Sequence, residues 1–176
     1  MRRHLILLSD IPGEGRTFIL DDPAIWQGPL QDFAMDCRIS RPLRARLTLL
    51  PADDGCLVRG RIDGEVILSC NRCAEDAVVA VNADFENFEE FPGRDDSALE
   101  SENRILYENT TPMLDLNAIC WEEFVLALPV APLCSDDCKG LCAVCGANLN
   151  VENCSCRRDE GDPRFSVLRG VVLRKP

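Results

Sequence analysis

Histidine is almost missing from this 176-residue chain, with His4 the single imidazole. A catalytic zinc centre with mixed ligands and an open position is disfavoured accordingly, and His4 reads as a surface or edge-strand residue. No H-E-x-x-H, G-x-S-x-G or glycine-rich phosphate loop occurs, so metalloprotease, hydrolase and nucleotide-binding chemistries lack their residues. The expectation is a non-catalytic protein with no small-molecule substrate. Long apolar runs are missing too. Leu5-Ile6-Leu7-Leu8, after Arg2 and Arg3, is too short for a signal-peptide core, and nothing approaches a membrane span, which points to a cytoplasmic address without membrane contact. Cations are scarce, 19 Lys and Arg against 30 Asp and Glu, for a formal net charge of −11. Such a field repels nucleic acid, so any RNA contact must come from a local basic patch, and it favours basic protein partners. There is no internal repeat.

Cysteine is what the chain has in abundance. Eleven are present, an odd number, and in a reducing compartment they read as metal ligands or buried thiols rather than as a disulfide framework. Six of them fall between Cys134 and Cys156, a stretch of 23 residues. Eight cysteines form close pairs: Cys70/Cys73, Cys134/Cys138, Cys142/Cys145 and Cys154/Cys156. Zinc takes four soft thiolates in a tetrahedron, and close pairs on tight turns supply them, so the pairs imply one or two structural Zn2+. Loop length favours Cys142, Cys145, Cys154 and Cys156 as one site, because the residues between Cys145 and Cys154 are turn formers that fold back compactly. Cys70 and Cys73, a C-x2-C between two strands, then need Cys134 and Cys138 as partners, and that site would pin the end of the chain to its sheet. The competing arrangement puts Cys134, Cys138, Cys142 and Cys145 on one metal. A thioredoxin-like role for Cys70-Asn71-Arg72-Cys73 is disfavoured, because the residues that follow read as β-strand rather than as the helix that lowers a redox thiol's pKa. Cys37, Cys56 and Cys120 have no partner at ligand spacing and read as core residues.

The pattern along the chain predicts an α+β protein: an antiparallel β-sheet with a zinc knuckle, one packed helix and a small C-terminal zinc module. Residues 1–133 form the sheet-plus-helix core and residues 134–176 the cysteine-rich module with a basic tail. Alternation predicts strands over Leu43 to Leu50, Leu57 to Ile62, Glu65 to Ser69 after an Asp63-Gly64 break, and Ala77 to Phe88, with a further strand over Leu5 to Ser9. Asp22-Pro23 opens a short helical piece through Trp26 that Gly28-Pro29 stops. Beyond Phe91-Pro92-Gly93 an acidic stretch reads as a mobile loop. Leu116, Ile119, Cys120, Phe124, Ala127 and Leu128 share one helical stripe, with Asp115 as N-cap and Pro129 as stop. Asp162-Pro163 opens a last short helix within the basic tail.

Several strings resemble the YceD family of bacteria and plastids: Cys70-Asn71-Arg72-Cys73, Trp121-Glu122-Glu123-Phe124 through Pro129, Pro132-Leu133-Cys134, Asp162-Pro163-Arg164, and above all Cys138-Lys139-Gly140-Leu141-Cys142-Ala143-Val144-Cys145-Gly146-Ala147-Asn148-Leu149-Asn150. The resemblance covers about residues 40 to 170. It implies a role in accumulation of large-subunit ribosomal RNA, with precursor rRNA or a basic large-subunit ribosomal protein as partner. Arg44, Arg46, Arg59 and Arg61 share one strand parity and are the candidate RNA contacts; the bland reading is a solvated face neutralised by neighbouring acids. A pure protein adaptor that holds a basic ribosomal protein on its acidic surface is the alternative.

Overall fold

Two antiparallel sheets and two helices make up the body of the protein, in a computed structural model that describes residues 4–91, 104–108 and 111–156. In chain order the elements are β1 (Leu5–Leu7), a 3-10 turn (Leu8–Asp10), β2 (Arg16–Leu20), α1 (Ala24–Asp32), β3 (Cys37–Ala52), β4 (Gly55–Ser69), β5 (Asp76–Glu90), β6 (Ile105–Glu108), β7 (Thr111–Asp115) and α2 (Leu116–Ala127). The larger sheet has the order β2-β3-β4-β5 and the smaller β1-β7-β6. The acidic loop, the tail helix and the basic tail expected from sequence lie outside the described residues.

The strands are longer than alternation alone predicts. Leu57 to Ile62 and Glu65 to Ser69 are not two strands but parts of the single β4, and β3 starts at Cys37 rather than Leu43. The cause is a pair of irregularities in β3. Between Ile39 and Arg44 the chain advances five positions while its partner moves only from Val66 to Asp63. Pro42 lies in that bulged stretch, where an imino residue with no N–H costs no ladder bond. Gly64 lies opposite, and a Cβ there would come within 2.9 Å of the Leu43 Cα. Asp63-Gly64 therefore resembles a turn in composition but is the glycine that lets a bulge approach.

The inner face of the large sheet supplies Leu43, Ala45, Leu47 and Leu49 from β3, Cys56, Val58, Ile62 and Val66 from β4, and Val81 from β5, all buried. Helix α2 covers this face with Leu116, Ile119, Cys120 and Phe124. Asp115 caps it, its carboxylate accepting from the amides of Asn117 at 3.0 Å and Ala118 at 3.2 Å. The short helical piece expected from Asp22-Pro23 is not stopped by Gly28-Pro29: α1 runs through both to Asp32. Local propensity loses here to burial of Ile25, Trp26 and Leu30, with the fully buried Trp26 ring meeting Phe124 edge-on at 5.5 Å. Cys37, Cys56 and Cys120 are buried within this core. Burial, with the Asp115 and Glu123 charges adding to it, pushes the Cys120 thiol up to about 12. His4 precedes β1 and joins the small sheet to α2, its Nδ1 2.8 Å from Asn117 Oδ1.

Candidate metal centres

The ribbon β4–β5 ends in Cys70-Asn71-Arg72-Cys73, and its fifteen-residue strands carry that turn just past the apolar core, which Leu68 still touches. The turn is tight. The Cys70 amide donates to Glu75 O at 2.8 Å, the Ala74 amide donates to Cys70 O at 2.9 Å, and the Arg72 amide points at Cys70 Sγ from 3.5 Å. Ala74 sits at φ 61°, the left-handed region that favours glycine. The same turn recurs at Cys142-Ala143-Val144-Cys145. Here the Cys142 amide donates to Ala147 O at 2.8 Å, the Gly146 amide to Cys142 O at 2.9 Å, and the Val144 amide faces Cys142 Sγ at 3.5 Å. Gly146, at φ 76°, holds the position that Ala74 holds in the first turn. Two C-x2-C turns thus share one hydrogen-bond plan, each turning amides towards its first sulfur.

Beyond α2, Pro129 to Pro132 is an irregular connector, bent at Val130 and Ala131, that delivers Cys134 and Cys138 back to the ribbon tip. The Asn71 amide donates to Pro132 O at 2.8 Å, and the Arg72 guanidinium donates to Cys138 O at 2.9 Å and Asp136 O at 3.4 Å. The Leu141 amide donates to Arg72 O at 2.9 Å. Gly140 permits this approach, since its φ is 76° and a Cβ would lie 2.9 Å from Arg72 O.

Two sulfur clusters result. Cys70, Cys73, Cys134 and Cys138 form an inner one, Cys142, Cys145, Cys154 and Cys156 an outer one, and within each all four Sγ atoms lie within 4.8 Å of one another. These are the two sets that loop length favours. The alternative set of Cys134, Cys138, Cys142 and Cys145 is divided between the two clusters. Cys70, Cys73 and Cys138 are buried, at 3% exposure each, with Ala77 and Leu133 packed around them. In the outer cluster Cys145 and Cys156 are exposed and Cys142 and Cys154 half-buried.

The donor chemistry fits zinc. Four thiolates at about 2.3 Å from a tetrahedral ion stand about 3.8 Å apart. Sulfur separations are 3.8 Å for Cys70–Cys138, 3.5 Å for Cys73–Cys134 and 3.3 Å for Cys142–Cys154. The protonation pattern points the same way. Burial opposes ionisation of Cys70, yet the Arg72, Cys134 and Cys73 amides outweigh it and bring that thiol down to about 6. The Glu75 amide pulls Cys73 down, but burial and the thiols of Cys134, Cys70 and Cys138 push it up to about 12. In the outer cluster the amides of Cys145 and Val144 bring Cys142 down to about 6, whereas the Cys145 and Cys154 sulfurs push Cys156 up to about 12. Crowded sulfurs cannot all ionise on their own, and a divalent cation is the partner that lets four do so.

Asn150 was not legible as a site residue. Its Oδ1 accepts from the Lys139 amide at 2.8 Å and its Nδ2 points at Cys138 Sγ from 3.3 Å. It lies in the loop that closes the outer cluster, so the two clusters share a support. Its only sequence signal is its place in the Asn148-Leu149-Asn150 string.

The four candidate arginines share the outer face of the large sheet and are exposed. Arg46 stands opposite Arg61 across β3 and β4. Arg61 pairs with Asp84 at 2.7 Å, Arg59 with Glu86, and Arg44 reaches Asp21 at 3.7 Å. Acids therefore accompany three of the four.

Comparison with known proteins adds to this geometry. The family model of the large ribosomal RNA subunit accumulation protein YceD matches residues 58–171, from within β4 through both clusters. The chain is similar to the chloroplastic large ribosomal RNA subunit accumulation protein YCED homolog 1 of Arabidopsis thaliana, 26% identical over 137 residues, covering 61% of this chain and 43% of that protein. The homolog of the same name from Zea mays is 28% identical over 146 residues, covering 64% of this chain and 49% of its own. An uncharacterized protein of Mycobacterium tuberculosis is 29% identical over 147 residues, covering 82% of this chain and 63% of its own. The chain thus spans about half the length of the curated relatives it matches. No solved structure matches it. Among the described residues no helix is long and apolar enough to cross a membrane.

Proposed function

The chain belongs to the YceD family of large ribosomal RNA subunit accumulation proteins, and from that premise we propose that it is a non-catalytic, cytoplasmic zinc-binding factor that supports accumulation of large-subunit rRNA through precursor rRNA or a basic large-subunit ribosomal protein. The observation that carries this reading is the extent of the family match. It spans the ribbon tip, α2 and both four-cysteine clusters, so the unit that the sulfurs gather lies wholly inside the matched region. In that unit Cys70, Cys73, Cys134 and Cys138 hold one zinc and Cys142, Cys145, Cys154 and Cys156 a second. Their role is structural: four thiolates per ion leave no position open for substrate or water.

Charge supports a basic protein as the direct partner, because the chain carries −11 and acids flank three of the four candidate arginines. Direct RNA contact is the second reading. What favours it is that these ion pairs are exposed, are worth only about 0–1 kcal/mol each, and yield readily to phosphates. Crosslinking in cells followed by identification of the captured partner decides between them. Capture of a basic ribosomal protein supports the adaptor. Capture of rRNA, with salt-dependent binding in vitro that is lost on replacing Arg44, Arg46, Arg59 and Arg61, supports direct contact. Capture of neither, with unchanged large-subunit rRNA levels in a deletion strain, ends the proposal.

A further inference from the structure

Four observations set the outer cluster apart from the inner one. Cys145 and Cys156 are exposed, whereas three of the inner four are buried. The inner cluster is seated on paired strands and clamped by Arg72, whereas among the described residues the outer one is held by turns and the single bridge Leu141–Asn148. Among the described residues the last backbone bonds before Cys154 are those of Val151 and Glu152 to Asn148 O, both 3.0 Å, and no backbone bond joins Cys154 or Cys156 to the rest. Finally, the Cys142 and Cys154 sulfurs, on different turns, stand 3.3 Å apart, against 3.5 Å for Cys73–Cys134 and 3.8 Å for Cys70–Cys138, where a disulfide bond is about 2.05 Å.

We propose that the outer cluster is a peroxide-sensitive clasp, in which Cys142 and Cys154 form a disulfide and give up their metal while the inner cluster stays reduced and loaded. The proposal rests on the zinc reading of both clusters. In the reaction one thiolate of the pair attacks an oxygen of hydrogen peroxide, forming an S–O bond as the O–O bond breaks and hydroxide leaves. The second thiolate attacks that sulfur, forming the S–S bond and expelling another hydroxide. Two electrons pass from sulfur to peroxide, and two protons from solvent turn both hydroxides to water. Cys145 and Cys156 remain, two ligands where zinc takes four. Access decides which pair reacts, because peroxide must reach one sulfur and the other must follow: Cys142 and Cys154 are both half-buried, whereas in the inner cluster the exposed Cys134 has only the buried Cys70, Cys73 and Cys138 as partners. Reduction with added zinc restores the clasp.

The test uses the full chain loaded with zinc. Native mass spectrometry counts the metal first. Hydrogen peroxide is then added, zinc release is followed with a chromogenic chelator, and disulfides are mapped by peptide mass. The expected result is two zinc ions at the start, one of them leaving severalfold faster than the other, together with a Cys142–Cys154 disulfide and reduced Cys70, Cys73, Cys134 and Cys138. Two zinc ions that leave together, oxidation of the inner cysteines first, or a different disulfide overturns the peroxide proposal and leaves the zinc reading standing. Fewer than two zinc ions before peroxide overturns both.

Discussion

Between Leu5 and Ala127 the chain buries Trp26, Phe124 and a continuous set of leucines, isoleucines and valines, whereas between Cys134 and Cys156 the buried residues are Cys138 and Gly140 alone. The first region is held by removal of apolar surface from water, the second by turns, backbone hydrogen bonds and sulfur. A segment of that length cannot bury enough to order itself, and small units without a core depend on a metal or a crosslink. The two regions meet at one place, the ribbon tip, where Cys70 and Cys73 are buried in a pocket of sulfur rather than in the main core. The lesson is that a sheet can end in a second core, built of sulfur, only a few residues from its hydrophobic one.

The largest effect that separates the regions is metal removal. A structural zinc contributes on the order of 10 kcal/mol to ordering its ligands, so stripping the protein with a strong chelator should abolish amide exchange protection at Leu141 and Leu149 while β3, β4 and most of β5 keep theirs. Collapse of the whole sheet under the same treatment would break the comparison. Phe124→Ala is the converse, since it empties a fully buried ring site against Trp26 and Trp121. It should cost about 3–5 kcal/mol in urea unfolding and leave zinc stoichiometry unchanged.

Alkaline pH acts on the body through Cys120. Its folded pKa, about 12, lies above the 9.0 of an ordinary thiol, so the folded state keeps the proton longer. The stability this thiol contributes is fully present below about pH 9 and is lost as pH rises towards 12, at up to about 1.4 kcal/mol per pH unit. Cys120→Ala should flatten that part of the alkaline decline, measured by urea midpoints across the range. The smallest effect sharpens the likeness between the two turns. Ala74→Gly relieves a left-handed alanine at the position where the second turn already has Gly146, and should stabilise the protein by about 0.5–1 kcal/mol without altering metal content. A loss of stability would show that the turns are alike in drawing only.

Much of the sulfur arrangement was legible in sequence because close cysteine pairs advertise turns, and loop lengths limit which pairs can meet. The central helix was legible too, since Asp115, the apolar stripe and Pro129 agree. The small sheet was not. Of β1, β6 and β7, at three, four and five residues, only the first was expected, and strands so short gain their pairing from tertiary context. Gly28-Pro29 and Asp63-Gly64 both misled in the same way, by carrying breaker composition into elements that burial or a bulge keeps intact. Asn150 escaped notice because a side chain that serves a sulfur twelve positions away has no periodicity to betray it.

Cys73 precedes Cys134, its partner in the inner cluster, by 61 residues. During synthesis at about 5–20 residues per second, the ribbon tip is complete for some 3–12 seconds before the chain that closes it has been made. Through that interval the tip displays two thiols without their partners, and for most of it the covering helix, which begins at Leu116, is also still unmade. The order of the cysteines along the chain is therefore a timetable, in which the large sheet is made first, the covering helix next, and the second half of the inner cluster only after both.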